Sequence, residues 1–296
     1  MAIAHNGSVE IYYETFGEPS NPALLLINGL GSQCINFDVA FCEMFVERGF
    51  FVIRFDNRDV GLSTKFNLVL PDLFAVLDAV KDGREPKVAY RLSDMANDAI
   101  AVLDALDIER AHVAGWSIGG MIAQQLAIDH PDRLLSMTSN MSTTGDPDVG
   151  QPSPEALNII LGPSEIDRAS IIQRRLDLER VIGSRAHFDA ERVAQQTGDA
   201  YDRCRCFNLA GVARQLCAAA ASGSRTVQLH EVTVPALVMH GDVDHLIDIS
   251  GGVRTAESIP GARLVVLEGM GHDLSLFYWD QLVDEITDHA KAATSP

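Results

Sequence analysis

The chain has 296 residues, 47% of them hydrophobic, with five cysteines and a formal net charge of −18. That apolar content supplies the core of one large domain, with room for a substantial insertion, and argues against disorder. The acidity sets up a field that repels phosphate backbones and acidic membrane surfaces, which excludes nucleic acid as a partner.

The chain opens with "MAIAHNGSVEIYYE", which has no basic segment followed by a long apolar run, and no later apolar stretch reaches the roughly 20 residues that cross a bilayer. The expectation is a cytoplasmic protein with no membrane partner; the oligomeric state stays open. Short apolar runs of strand length follow at 9–17, 22–29, 50–56, 111–117, 134–141, 235–242 and 262–269. Helical patterns lie between several of them: Asp38 to Arg48, 93–108, Ile118 to Asp129, 251–259 and 278–293. Strands too apolar to be half-solvated, alternating with helices, predict an α/β architecture, a mostly parallel central sheet with helices on both faces. The opening pair, "VEIYYETFG" and "PALLLING", is the expected antiparallel exception.

From 143 to 232 the alternation stops, loop signals cluster at Gly145, Pro147, Pro152 and Pro154, and four helical patterns follow without a strand. This predicts a helical cap, 143–232, inserted into a core made of 1–142 and 233–296. A smaller insertion, 65–90, carries the apolar "LVLPDLFAVLDAV" and is expected to line the same cavity. The cysteines, Cys34, Cys42, Cys204, Cys206 and Cys217, are odd in number and irregularly spaced, so free thiols are expected, with no metal and no cofactor.

The chemistry concentrates in "HVAGWSIGGMIAQ" (112–124), a strand running into a helix with Ser117 at the junction and Gly115 and Gly119 two positions either side. Small residues there imply a backbone bent too sharply for a Cβ. A serine hydroxyl is a weak nucleophile and needs a base, usually oriented by an acid. Both are available in the order acid then histidine: "LVMHGDVDHLI" ends a strand in a glycine turn with Asp242 and Asp244, and "LVVLEGMGHDL" ends the next with His272. Either aspartate reaches forward from the same turn, Asp242 directly after Gly241 being placed to stabilise it. Two donors are needed for the tetrahedral oxyanion. The Ile118 amide follows the nucleophile, and the Leu30 amide lies in "NGLGS", between Gly29 and Gly31.

Through "NGLGS", "FDNRDVGLS", "GWSIGG", "GDVDHLI" and "GMGH" the chain resembles the α/β-hydrolase superfamily over essentially its full length, and within it a bacterial group of capped carboxylesterases similar to aclacinomycin methylesterase. The resemblance implies the α/β-hydrolase fold, with Ser117 as nucleophile, Asp244 as acid, His272 as base and Leu30 and Ile118 as oxyanion amides. Asn28 stands where many members have histidine, and Trp116 fills a position often held by a smaller residue, so Gly29 and Trp116 are the expected substrate-binding neighbours of the serine. The reading is a serine carboxylesterase with a small-molecule ester substrate of short to medium acyl chain. The same triad also serves carbon–carbon hydrolysis or cofactor-free perhydrolysis, and a scaffold of this kind can serve as a ligand receptor.

Overall fold

The computed structural model describes residues 2–66, 70–162, 166–204 and 208–294. Eight strands form one sheet: β1 (Ala2–Asn6), β2 (Val9–Phe16), β3 (Ala23–Ile27), β4 (Phe51–Phe55), β5 (Ala111–Trp116), β6 (Leu134–Asn140), β7 (Ala236–Gly241) and β8 (Arg263–Leu267), in spatial order β1-β2-β4-β3-β5-β6-β7-β8. The antiparallel part is not the pair expected. β2 pairs antiparallel with β1 and with β4, whereas β3 runs parallel to β4 and β5. The reason is burial. Every residue of β3 is buried, as suits a central strand flanked by parallel neighbours, while β2 alternates and lies next to the edge.

Helices cover both faces. On one lie α3 (Leu92–Ala105), α4 (Ile118–Asp129) and α10 (Ser250–Ser258), where Leu103, Ile122, Leu126 and Ile259 share a core with Leu25, Ile53 and Val113. On the other lie α1 (Val39–Glu47) and α11 (Trp279–Thr294), which bury Phe41, Phe45, Leu282 and Ile286 against Leu24, Val52, Ala114 and Met239. The odd and even residues of each central strand thus feed separate cores, the pleat dividing one apolar run between two faces.

Between β4 and α3 sits α2 (Leu73–Lys81). Between β6 and β7 come α5 (Pro154–Leu161), α6 (Arg168–Ile182), α7 (Ala190–Cys204), α8 (Leu209–Ser222) and α9 (Thr226–Leu229), with no strand among the described residues there. Side chains cap several of them: Ser153 accepts from the Ala156 amide, Asp167 from those of Ala169 and Ser170, and Asn208 from that of Gly211. α2 packs on α8, burying Val76 beside Cys217 and Ala221, while Phe74 and Leu77 are exposed. Among the described residues of this smaller insertion, the apolar face of α2 is therefore divided between packing on α8 and solvent. Leu68 and Val69 of the same stretch lie outside the described residues.

Candidate active site

Parallel strands that end on one side of a sheet bring their C-terminal loops together. Three such loops, after β5, β7 and β8, carry the candidate residues. Ser117 leaves β5 with φ 58° and ψ −121°, a region foreign to side-chain-bearing residues, and α4 starts at the next position. The neighbours explain why the bend needs glycine. A Cβ on Gly115 would lie 2.0 Å from the Gly119 carbonyl oxygen, and one on Gly119 would lie 2.2 Å from that of Ile27. The Ser117 amide donates to the Asn140 carbonyl at the end of β6 (2.9 Å), and the Ser117 carbonyl accepts from the Ser142 hydroxyl (2.7 Å). The elbow is thus fixed from outside itself.

Asp244 and His272 meet directly, Nδ1 of the imidazole lying 2.7 Å from Oδ2 of the carboxylate. The other oxygen, Oδ1, accepts from the amides of Leu246 and Ile247, both at 2.8 Å. Burial pushes the Asp244 carboxyl up, but the charge of His272 and hydrogen bonds from His240 and His272 outweigh it and hold the group well below the usual carboxylate range. A carboxylate at Nδ1 fixes the tautomer with the proton there and leaves Nε2 free to accept. Asp242 turns away from the imidazole, and its Oδ1 accepts from the Gly269 amide at 2.6 Å, tying the β7 turn to the β8 turn. His240 is fully buried and faces the Ile247 carbonyl (2.8 Å). The Ser117 hydroxyl is half-buried and makes no hydrogen bond to His272 or to any other described residue.

The loop after β3 comes up against the elbow. A Cβ on Gly29 would lie 3.2 Å from Ser117 Cβ, so a side chain there would crowd the serine where glycine lets the loop approach. Leu30 follows Gly29 in that loop, and Ile118 opens the first turn of α4, so both backbone amides belong to segments that border Ser117. The first amides of a helix lack intrahelical acceptors and suit an anion. Trp116 is 5% exposed, its ring edge-on to Phe37 at 4.9 Å, and its indole Nε1 finds no partner among the described residues. Asn28 is buried and braces the loop, donating to the Gln33 carbonyl at 3.0 Å.

What reading the sequence did not reveal is how these loops are held. In "FDNRDVGLS" each charged residue is buried and committed. Asp56 accepts from the Cys34 amide (2.7 Å) and from Arg203 of α7 (2.7 Å). Arg58 forms a two-pronged pair with Asp98 of α3 (2.6 and 2.7 Å). Asp59 takes a fork from Arg214 of α8 (2.8 and 2.7 Å) and the Tyr90 hydroxyl (2.7 Å). Gln33 donates to the Ala200 carbonyl of α7 at 2.6 Å, and Gln215 of α8 accepts from the Gly31 amide at 2.9 Å. The signal was present: three charges packed into four residues directly after a mostly apolar strand, 51–55, have no solvated face to occupy, so each needs a buried partner. Cys34, Cys42 and Cys217 are free thiols, Cys204 of α7 accepts from Gln33 Nε2 at 3.4 Å, and Cys206 lies outside the described residues. Among the described residues no cluster suits a metal ion, and no helix is long and apolar enough to cross a membrane.

Comparison with known proteins places this geometry. Residues 22–162 match the family model described as alpha/beta hydrolase fold. The chain is 30% identical to rhodomycin D methylesterase DnrP of Streptomyces peucetius, over 98% of this chain and 97% of that protein. It is 25% identical to 3-oxoadipate enol-lactonase 2 of Acinetobacter baylyi, covering 88% and 85% respectively. In fold it is similar to the meta-cleavage product hydrolase CumD of Pseudomonas fluorescens IP01, with a TM-score of 0.77 at 20% identity over 99% of this chain and 98% of that one.

Proposed function

We propose, from the premise that this chain belongs to the α/β-hydrolase family and is a hydrolase of the esterase type, that it is a serine carboxylesterase cleaving neutral, fairly hydrophobic small esters through an acyl-enzyme on Ser117. The observation that carries the reading is the Asp244–His272 hydrogen bond of 2.7 Å in the loops that follow β7 and β8, on the same side of the sheet as the Ser117 elbow. In this mechanism His272 Nε2 takes the Ser117 proton as the oxygen attacks the ester carbonyl, and the Leu30 and Ile118 amides receive the oxyanion. The imidazolium then protonates the departing alkoxide, and a water activated by the same nitrogen attacks the acyl carbonyl and releases the acid. Asp244 keeps the imidazole oriented and stabilises its cation. The scheme consumes one water and needs no cofactor or metal.

The preference for neutral esters is supported by charge. His272 lies within electrostatic reach of two carboxylates, Asp244 and Glu179, and the chain as a whole carries −18, so an anionic ester approaches against the field. Gly29 and Trp116 border the nucleophile in chain and space and are assigned to the substrate pocket. The preference for short to medium acyl chains is supported by the inserted helices, which meet these loops at Ala200 and Arg203 of α7, at Gln215 of α8 and at the turn after α6.

The test is a fluorophosphonate labelling followed by a p-nitrophenyl ester series. One covalent adduct is expected, lost together with ester hydrolysis in Ser117→Ala, and kcat/KM is expected to rise from acetate, peak at short to medium acyl chains and collapse for long ones. Labelling that persists in Ser117→Ala removes the nucleophile assignment. A maximum at the longest chains removes the closed pocket, and turnover confined to diketones removes the ester reading.

A further inference from the structure

The turn after α6 is bonded to the histidine loop along its length. The His272 amide donates to the Ile182 carbonyl at 2.6 Å, and the Gly271 amide donates to the Ser184 hydroxyl at 3.0 Å. That hydroxyl donates in turn to Asp273 Oδ1 (2.6 Å), while the Ser184 amide donates to Asp273 Oδ2 (2.8 Å). Ser184 is fully buried, and the bonds of its hydroxyl and amide run to this loop, so they serve no purpose inside the inserted helices. The fit is also steric. A Cβ on Gly271 would lie 2.3 Å from the Ile182 carbonyl oxygen, and one on Gly183 would lie 2.8 Å from Glu179 Oε2 and 3.1 Å from Asp273 Oδ2. Two glycines, one on each side, let the backbones touch. Glu179, buried at the end of α6, is held by Arg175 of the same helix, which stiffens the turn from behind. Among the described residues the imidazole itself makes one hydrogen bond, from Nδ1 to Asp244. That bond orients the ring, and the backbone bonds from 271–272 to the turn 182–184 fix where the ring is carried.

We propose that Ser184 and Asp273 are positioning residues: through the turn 182–184 they fix the backbone of 271–273, and so the reach of His272 Nε2 toward Ser117, making the inserted helices a structural part of the general base. The inference rests on the assignment of His272 given above. Misplacing a catalytic group by about 1 Å can cost on the order of a hundredfold in rate, and loosening one of several constraints costs less.

The experiment is steady-state kinetics on p-nitrophenyl butyrate with Ser184→Ala, Ser184→Thr, Asp273→Asn and, as a control on the solvent side of α6, Asp177→Ala, each with a thermal unfolding curve. For Ser184→Ala and Asp273→Asn, kcat is expected to fall about tenfold with KM within twofold of the parent and the protein still folded at the assay temperature, and the acid limb of the kcat–pH profile is expected to move. Ser184→Thr, which restores a hydroxyl, is expected to recover most of kcat, and Asp177→Ala to change nothing. Unchanged kcat in both variants, or a loss that merely follows the folded fraction, overturns the proposal. If Ser184→Ala fails to fold, Asp273→Asn alone decides by the same two criteria. Failure of the underlying assignment shows separately, as activity retained in His272→Ala.

Discussion

Leu25 in the middle of β3 and Asp59 beyond the end of β4 are both buried, yet they hold the molecule together in opposite ways. Leu25 belongs to a large apolar cluster whose attraction is non-directional and scales with area, so its neighbours adjust and share any loss. Asp59 belongs to a fork with Arg214 and Tyr90 that joins the segment after β4 to α8 and to the chain ahead of α3. Burial pushes its carboxyl up, and the hydrogen bonds and charge of Arg214, with those from Tyr90 and the Phe66 amide, pull it below its ordinary value. Such a pair contributes little net stability against an apolar replacement but is strict about geometry. The sheet is therefore held by burial, and the inserted helices are aligned on it by directional contacts at Asp56, Asp59 and Asp273.

The sharpest way to break that contrast is Asp59→Ala, which strands a buried guanidinium. A loss of about 3–5 kcal/mol is expected from urea unfolding, and the double variant with Arg214→Met is expected to recover a large part of it. If the double variant is as unstable as the single one, the pair is not what aligns α8. Next in size, Leu25→Ala is expected to cost roughly 2–5 kcal/mol by cavity formation, whereas Leu25→Met costs under about 1.5 kcal/mol. In both, the molecules that remain folded keep the parental kcat. A changed kcat in folded Leu25→Met would mean that the sheet core also tunes the site.

The smallest effect tests whether the apolar side of the contrast is free of electrostatics. His112 of β5 is 2% exposed and hydrogen-bonds the Ser136 hydroxyl at 2.8 Å. Burial, with His289 and Arg110 nearby, lowers its pKa to about 4. The unfolded histidine titrates near about 6.5, so between these values the unfolded chain binds more protons than the native one. Stability is accordingly present in full above about pH 6.5 and falls as the pH drops toward about 4. Urea midpoints at several pH values in this window are expected to show a shallower slope for His112→Gln than for the parent; equal slopes would clear His112 of any role.

The sheet was readable because its signals are local and redundant: largely apolar runs such as 23–27 and 111–116 have few alternatives to a central strand, and α4, expected from Ile118 to Asp129, occupies those residues. β1 went unread because "AIAHN" is short and has a single large apolar residue, Ile3, and it is a strand through its pairing with β2, a non-local cause. The same holds for the pairing of β2 with β4 over β3. For the candidate site, position in the chain carried much of the information: Ser117, Asp244 and His272 each follow a strand that ends in a glycine-containing turn. Between Asp242 and Asp244 the turn alone left both open and the family resemblance favoured Asp244; in the folded chain one carboxylate, Asp244, meets His272 and the other the Gly269 amide. The contacts of Ser184 and Gln215 were illegible because their partners lie 89 and 184 residues away, and a lone buried serine or glutamine leaves no periodic mark.

The backbone at Ser117, with φ 58° and ψ −121°, also limits what this position can become. Threonine keeps the hydroxyl, but its branched Cβ crowds a conformation already unfavourable to any L-residue, so the chemically nearest replacement is conformationally remote. Glycine relaxes the turn and removes the hydroxyl. Cysteine is the replacement that keeps an unbranched Cβ and a nucleophilic atom bonded directly to it. Mutational drift at residue 117 is thus filtered by shape before it is filtered by reactivity, and a lineage that lost the serine would find few routes back except through residues that tolerate this bend.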